Sequence, residues 1–178
     1  MNRHDQQQVK PVFLLTAFIL IIFSITFLGP ISYARSDSEL SLLVSQAVID
    51  HASIKLDAYQ ESVALSRYKS IYGEIKEKND HFYYVFPIGP SIFLVPAVWI
   101  ANLAGLHMTD PINSYQLQNL LSSWSCVFIL LLVYRISRCY LPPRSSIVIA
   151  AVSILGSALT STLGTALWNF HFTTIFYY

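Results

Sequence analysis

Four long stretches of the chain carry no Asp, Glu, Lys or Arg and are dominated by apolar residues. They run over 11–34, 82–109, 111–134 and 145–178. A helix needs roughly 20 apolar residues to cross a hydrocarbon core of about 30 Å, so each stretch is long enough to span a membrane. The pattern predicts an all-α polytopic membrane protein in which the polar segments form loops.

The first apolar stretch predicts a cytoplasmic N-terminus over 1–11 and a transmembrane helix over 12–28. Arg3 and Lys10 precede the helix, as the bias of basic residues toward the cytoplasm requires. A secretory signal peptide is the alternative, because the Ser-Tyr-Ala segment at 32–34 fits a small-x-small cleavage site. The apolar core is longer than in most signal peptides, which favours a retained helix.

The second apolar stretch has two interpretations. Its three prolines each remove a backbone donor, so it either spans as a broken helix or lies at the membrane interface in short pieces. If it spanned, Arg135, Arg138 and Arg144 would lie outside, against the bias of basic residues toward the cytoplasm. We therefore predict a juxtamembrane or interfacial segment over 82–116.

The remaining boundaries follow from this choice. We predict an external loop over 29–81, transmembrane helices over 117–134 and 145–164, a cytoplasmic loop over 135–144, and an external turn with the start of a further helix over 165–178. Because the chain stops within an apolar run, we expect it to be truncated. The predicted location is the bacterial inner membrane, crossed several times, with the 29–81 loop outside the cytoplasm.

Composition supports this class and excludes others. Hydrophobic residues make up 54% of the chain and charged residues 12%, with a mean hydropathy of +0.50, which is far from the balance of a soluble domain. The formal net charge is +1, which gives no electrostatic basis for binding nucleic acid.

Within the external loop, an amphipathic helix is predicted to start at Asp37. Ser36 and Glu39 stand at the spacing of a capping box. Apolar residues then recur on one helical stripe, namely Leu40, Leu43, Val44, Ala47 and Val48. A second, weaker helix is predicted over 56–72. The loop has few core residues for an independent domain, so both helices are expected to lie on the membrane surface.

Asp37 and Glu39 are the candidate catalytic residues. A carboxylate placed where a span emerges into water can reach a lipid-borne and a soluble substrate together, which suits a general base. The alternative is structural, because both carboxylates also favour a helix N-terminus and its cap. As a metal site the pair would need further ligands, since side chains at i and i+2 of a helix point apart. No cofactor is predicted, and a divalent metal stays an open alternative.

Short motifs occur in a characteristic order along the chain. They are Ser36-Asp37-Ser38-Glu39, the segment 50–57, the aromatic and proline-rich segment 82–90, the segment 131–138 and the segment 165–169. Their order and spacing resemble the N-terminal third of a GT-C membrane glycosyltransferase, and most closely the group that includes dolichyl-phosphate-mannose protein mannosyltransferases and bacterial lipid A sugar transferases.

The resemblance implies a reaction. In that family an acidic residue of the first external loop lies where a sugar passes from a polyprenyl phosphate to an acceptor hydroxyl, and the matching position here is Asp37. The family's usual second acidic position falls at Ser38, with Glu39 one place later, so Glu39 is a candidate second carboxylate. The implied partners are a polyprenyl-phosphate-sugar donor, an unidentified acceptor and membrane lipid.

The departing lipid phosphate requires cations or hydrogen-bond donors. The candidate substrate-binding residues are Lys55, Arg67, Lys69, His81, Tyr83, Tyr84 and His171. Lys76 and Lys78 of the same loop could also bind phosphate, but mixed charges of this kind are more typical of an ordinary solvated surface. His171, beside a Trp, is more typical of an interfacial anchor.

Three functions are therefore weighed. The first is a GT-C glycosyltransferase, with this chain as an N-terminal fragment that is inactive alone. The alternative is a small non-catalytic membrane protein that binds a polyprenyl lipid or a protein partner. A transporter is disfavoured, because the predicted spans hold no ionisable residue of the kind that marks an ion path.

Overall fold

The computed structural model describes residues 3–28, 40–62 and 75–156, and this part of the chain is mostly helical. In chain order the elements are α1 (Arg3–Leu28), α2 (Ser41–His51), a 3₁₀ turn (Asp57–Tyr59), β1 (Ile75–Lys78), β2 (His81–Tyr84), α3 (Gly89–Leu103), α4 (Pro111–Arg138) and α5 (Pro143–Leu155). The predicted helical class is confirmed in outline. The two strands are an addition that the sequence analysis did not predict.

Among the described residues, one helix is both long and apolar enough to cross a membrane. This is α4, whose 28 residues contain the predicted span 117–134. At 1.5 Å per residue it is about 42 Å long, which exceeds a hydrocarbon core of about 30 Å. The apolar helices Val12–Leu28, α3 and α5 are shorter.

The chain divides into two compact units, the first formed by 1–31 and 119–165. Its described core joins α1, α4 and α5 through Ile22, Cys126, Ile129, Leu130, Ala150 and Ile154. Phe23 of α1 meets Trp124 of α4 edge to face, with ring centroids 5.6 Å apart. The amide nitrogen of Asn119 donates to the carbonyl of Phe27 at 3.5 Å. Apolar packing between helices thus organises this unit.

The second unit comprises 32–118 and 166–178. Helix α2 packs against α3, and the hydroxyl of Ser45 donates to the carbonyl of Ser91 at 2.6 Å. The core residues are Leu40, Leu43, Val44, Ala47, Leu56 and Tyr59. Four of the five residues of the predicted α2 stripe are therefore confirmed as core-forming.

The external loop is richer in core residues than the sequence analysis expected, while the placement of α2 at a membrane surface stays a prediction. Residues 41–47 of α2 are all buried, including Ser45 and Gln46, so the helix is covered on nearly every side by its own unit. The sequence suggested too few core residues because the apolar partners of α2 lie in later segments, in β1, β2 and the turn before α3. Pairing across such distances leaves no local pattern in the sequence.

Two boundaries in the loop also differ from prediction. Helix α2 begins at Ser41, and the preceding Leu40 makes no side-chain capping bond, whereas the predicted start and its capping box lie outside the described residues. The predicted helix over 56–72 is replaced, as far as Ser62, by the single 3₁₀ turn. Residues 63–74 lie outside the described part.

The segment 82–116 was predicted to form short pieces, but α3 is one continuous helix of 15 residues. Pro90 lies in its first turn, where the N–H groups have no intrahelical partner, so a proline is tolerated there. Only Pro96 occupies the interior. The helix is about 22 Å long at 1.5 Å per residue, and its interfacial placement stays a prediction.

Strands β1 and β2 form an antiparallel hairpin in which Lys76 pairs with Tyr83 and Lys78 with His81. Asn79 and Asp80 connect them, with φ of 53° and 59°. Positive φ at both central residues is the requirement of a type I′ turn, whose twist matches that of the flanking strands. Asn and Asp tolerate this region better than other residues that carry a side chain beyond Cβ.

Candidate functional site

The hairpin has one apolar and one polar side. Successive residues of a strand point to opposite faces, and directly paired residues of neighbouring strands share a face. Ile75, Phe82 and Tyr84 pack against the core of the second unit. The opposite face therefore carries Lys76, Lys78, His81 and Tyr83.

A further lysine joins this polar side from the segment after α2. Lys55 forms an antiparallel bridge with Tyr83, and the N–H of Leu56 donates to the carbonyl of Phe82 at 2.9 Å. Lys55 and Tyr83 are thus opposite one another and share a face. We call Lys55, Lys76, Lys78, His81 and Tyr83 the polar face.

An aspartate of the 3₁₀ turn holds the histidine of the polar face. Asp57 Oδ2 lies 2.7 Å from His81 Nδ1, and Asp57 Oδ1 accepts the N–H of Phe82 at 2.7 Å. The backbone hydrogen bond from Phe82 and the contact with His81 lower the pKa of Asp57 below its ordinary value. The carboxylate is therefore ionised at neutral pH.

This contact determines which nitrogen of His81 carries a proton. A carboxylate only accepts hydrogen bonds, so Nδ1 must be the donor. The second ring nitrogen, Nε2, is then left to meet solvent or a ligand. The side chains of His81 and Asp57 are 40% and 32% exposed, so solvent or a ligand reaches the pair. The ring also meets Tyr83 edge to face, with centroids 6.4 Å apart.

A second acidic residue, Asp50 at the end of α2, belongs to a structural network. Gln46 Nε2 donates to its two carboxylate oxygens at 2.9 and 3.0 Å, and the Tyr59 hydroxyl donates to Oδ2 at 2.7 Å. Gln46 Oε1 in turn accepts the N–H of Met108 at 3.4 Å. Burial and the carboxylate raise the pKa of the Tyr59 hydroxyl above its ordinary value. The network joins α2 to the 3₁₀ turn and to the segment before α4.

The predicted substrate-binding residues separate into three groups. Lys55, His81 and Tyr83 come together on the polar face. Tyr84 does not, because its position in the strand turns it to the apolar side, where it packs on the core. The third group, Arg67, Lys69 and His171, lies outside the described residues. The two candidate catalytic carboxylates, Asp37 and Glu39, also lie outside them.

The sequence analysis missed Asp57 and left Lys76 and Lys78 as phosphate ligands less favoured than an ordinary solvated surface. The strand register places both lysines on the polar face. The alternation around Asn-Asp was the available signal for a hairpin. Asp57 lies 24 residues before His81, and no local pattern links the two. Within the described ranges, no group of three or more His, Cys, Asp or Glu side chains could hold a metal ion.

No protein-family model matches the chain, and no curated protein or solved structure is significantly similar to it. The resemblance to GT-C glycosyltransferases therefore stays a prediction from the motifs. The chemistry of the polar face can be argued independently of it. Three ammonium groups, a histidine held by a carboxylate and a tyrosine hydroxyl are groups that bind phosphate oxygens.

Proposed function

We propose that the chain is part of a membrane glycosyltransferase that takes a sugar from a polyprenyl-phosphate carrier at the outer face of the bacterial inner membrane. The observation that supports this proposal best is the convergence of Lys55, His81 and Tyr83. These residues, predicted separately as phosphate ligands, share one face of one β structure. In the proposed topology the chain crosses the membrane several times, and the second unit lies outside the cytoplasm.

The proposed reaction divides the work between two sites. Asp37 removes the proton of the acceptor hydroxyl while its oxygen attacks the anomeric carbon of the sugar. The bond between that carbon and the phosphate oxygen breaks, and the electron pair stays on the phosphate. The polar face then stabilises the added negative charge through ammonium groups and hydrogen-bond donors. The polyprenyl chain occupies the surrounding lipid.

The test is a transfer assay with the full protein in membrane vesicles. A radiolabelled undecaprenyl-phosphate-linked sugar serves as donor, and transfer to the membrane fraction's own acceptors is measured. Asp37→Asn should lower transfer by at least about 100-fold, the usual lower bound for losing a general base. Asp80→Asn is the matched control, because it makes the same change at an exposed external position whose positive φ suits asparagine.

The same assay separates the alternative, a non-catalytic protein that binds polyprenyl lipid. Equal transfer by the wild-type protein and Asp37→Asn would contradict the proposed glycosyltransferase function. If undecaprenyl phosphate still binds and Lys55→Ala weakens that binding, the polar face supports a lipid-binding role without transfer.

A further inference from the structure

Both oxygens of Asp57 have a fixed partner, which makes this carboxylate a rigid support. Oδ1 is tied to the backbone of β2 through Phe82, and Oδ2 is tied to the ring of His81. The two contacts remove rotation of the carboxylate about its own axis. The imidazole is therefore held both in orientation and in the position of its Nδ1 proton.

The groups that face His81 are mostly cationic. Lys78 is paired directly opposite on β1, while Lys76 and Lys55 flank the neighbouring Tyr83 from either side. Asp57 is the acidic group in contact with the ring. An anion that binds to the lysines thus meets His81 as the additional hydrogen-bonding group of the polar face.

We infer that Asp57 is a positioning residue, which keeps the Nδ1 proton of His81 in place so that a protonated Nε2 donates to a phosphate group bound on the polar face. The inference rests on the proposed function only for the source of the phosphate, a polyprenyl phosphate. Protonated His81 carries one proton on each nitrogen, so Asp57 offsets the cation on one side while phosphate accepts from the other.

The Nε2 proton decides the sign of this contact. Without that proton, Nε2 is an acceptor that faces phosphate oxygens, which are acceptors themselves. The three lysines supply further attraction for the phosphate from around the ring.

The test uses the full chain in detergent micelles, with ¹⁵N-labelled histidine and inorganic phosphate as the probe. His81→Gln identifies the His81 signals. In the wild type we expect a proton held on Nδ1, and a saturable shift of Nε2 when phosphate is added. In Asp57→Asn the Nδ1 proton and the ring lose their carboxylate support, and phosphate binding should weaken about tenfold, the effect of losing one charge-assisted hydrogen bond.

A matched variant removes the simple electrostatic explanation. Glu77→Gln deletes one negative charge on the same hairpin, but from the side opposite the polar face. Coulomb attraction alone predicts that both variants bind phosphate more tightly than the wild type. The positioning role predicts the opposite sign for Asp57→Asn.

Several results would overturn the inference. They are an Nδ1 without a proton in the wild type, no phosphate-induced shift of His81, and phosphate binding by Asp57→Asn as tight as that of the wild type. The wild-type measurements decide the matter even if Asp57→Asn fails to fold. Two further probes identify the source of the phosphate group: undecaprenyl phosphate in micelles, and nanodiscs of anionic phospholipid. A shift of the His81 signal with undecaprenyl phosphate and none with the nanodiscs supports the polyprenyl carrier. Should the inference hold while Asp37→Asn leaves transfer unchanged, the proposed function fails alone.

Discussion

At the scale of single residues, the polar groups of the second unit have two different tasks. Asp57 is exposed to solvent on one side and directs its oxygens at a histidine and a backbone N–H. Asp50 receives its hydrogen bonds from Gln46 and Tyr59, which are buried. The first arrangement leaves the second nitrogen of a partly exposed ring outside the contact, whereas the second uses its donors within the fold. The first suits the ligand binding that we propose, and the second suits stability.

Tyr59→Phe tests the structural network. The hydroxyl of Tyr59 is a partly buried donor to a carboxylate, so its loss should lower the free energy of unfolding by about 1–2 kcal/mol at pH 7. The raised pKa of Tyr59 means that the folded state holds this proton more tightly than the unfolded chain does. Its stabilisation is thus complete below the unfolded pKa of about 10 and is lost as pH rises through the higher folded value.

The measurement is SDS unfolding in mixed micelles, followed by tryptophan fluorescence at about pH 7 and about pH 11. The difference between the wild type and Tyr59→Phe should shrink at the higher pH. A control is Tyr140→Phe, because Tyr140 is 84% exposed and its hydroxyl reaches water. A constant difference at both pH values would contradict the account of Tyr59.

The sequence identified part of the residue-level picture. Lys55, His81 and Tyr83 were predicted from charge and aromatic character, because a phosphate ligand needs donors and cations. Asp57 was not predicted, since an aspartate near a helix pattern has many ordinary roles. Its importance depends on a contact with a strand 24 residues away. Such a contact exists only after the fold forms.

At the scale of elements, the hairpin is the structure that assembles the polar face. Its register places Lys76 and Lys78 opposite Tyr83 and His81. A slip by one residue would turn these side chains toward the core and bring the apolar ones into water. The two-residue turn therefore helps to determine the composition of the site.

Asp80→Gly tests the turn. Asp80 has a positive φ, which costs a residue with a side chain roughly 1–2 kcal/mol and Asp somewhat less. Glycine adopts this conformation freely, and Asn-Gly is the preferred residue pair of a type I′ turn. We expect slower amide hydrogen exchange in β1 and β2 for Asp80→Gly and faster exchange for Asp80→Ala. The N–H of Leu56, which donates to Phe82, should respond in the same direction because it depends on β2.

Amides of α5 provide the internal control, since that helix belongs to the other unit. If exchange in the hairpin were faster in Asp80→Gly than in Asp80→Ala, the turn assignment would be wrong. The pattern that predicts this turn is present in the sequence as Asn-Asp between alternating residues. It was overlooked because the strands are only four residues long and adjoin an apolar run that resembles an interfacial segment.

At the scale of the whole molecule, the distribution of charge along the sequence predicts the helical class best. Long uncharged stretches account for the helical class and for α4, because hydropathy and length are local properties. The core of the second unit was not predicted, since it combines α2 with strands and a turn that follow much later in the chain. Topology across a membrane stays a prediction, and it rests on the arginines at 135, 138 and 144.

A native cysteine makes that topology testable. Cys139 follows α4, is exposed, and adjoins Arg138, so the proposed topology places it in the cytoplasm, whereas Cys126 is buried in α4. Lys78 is exposed on the hairpin, which the topology places outside. A membrane-impermeant maleimide should label Lys78→Cys in intact cells, best seen in a Cys139→Ser background. Wild-type Cys139 should react only after the membrane is permeabilised. Labelling of both Lys78→Cys and Cys139 in intact cells would place the arginines outside and mean that the stretch 82–109 also crosses the membrane. Labelling of Cys139 without labelling of Lys78→Cys would reverse the assignment of the second unit.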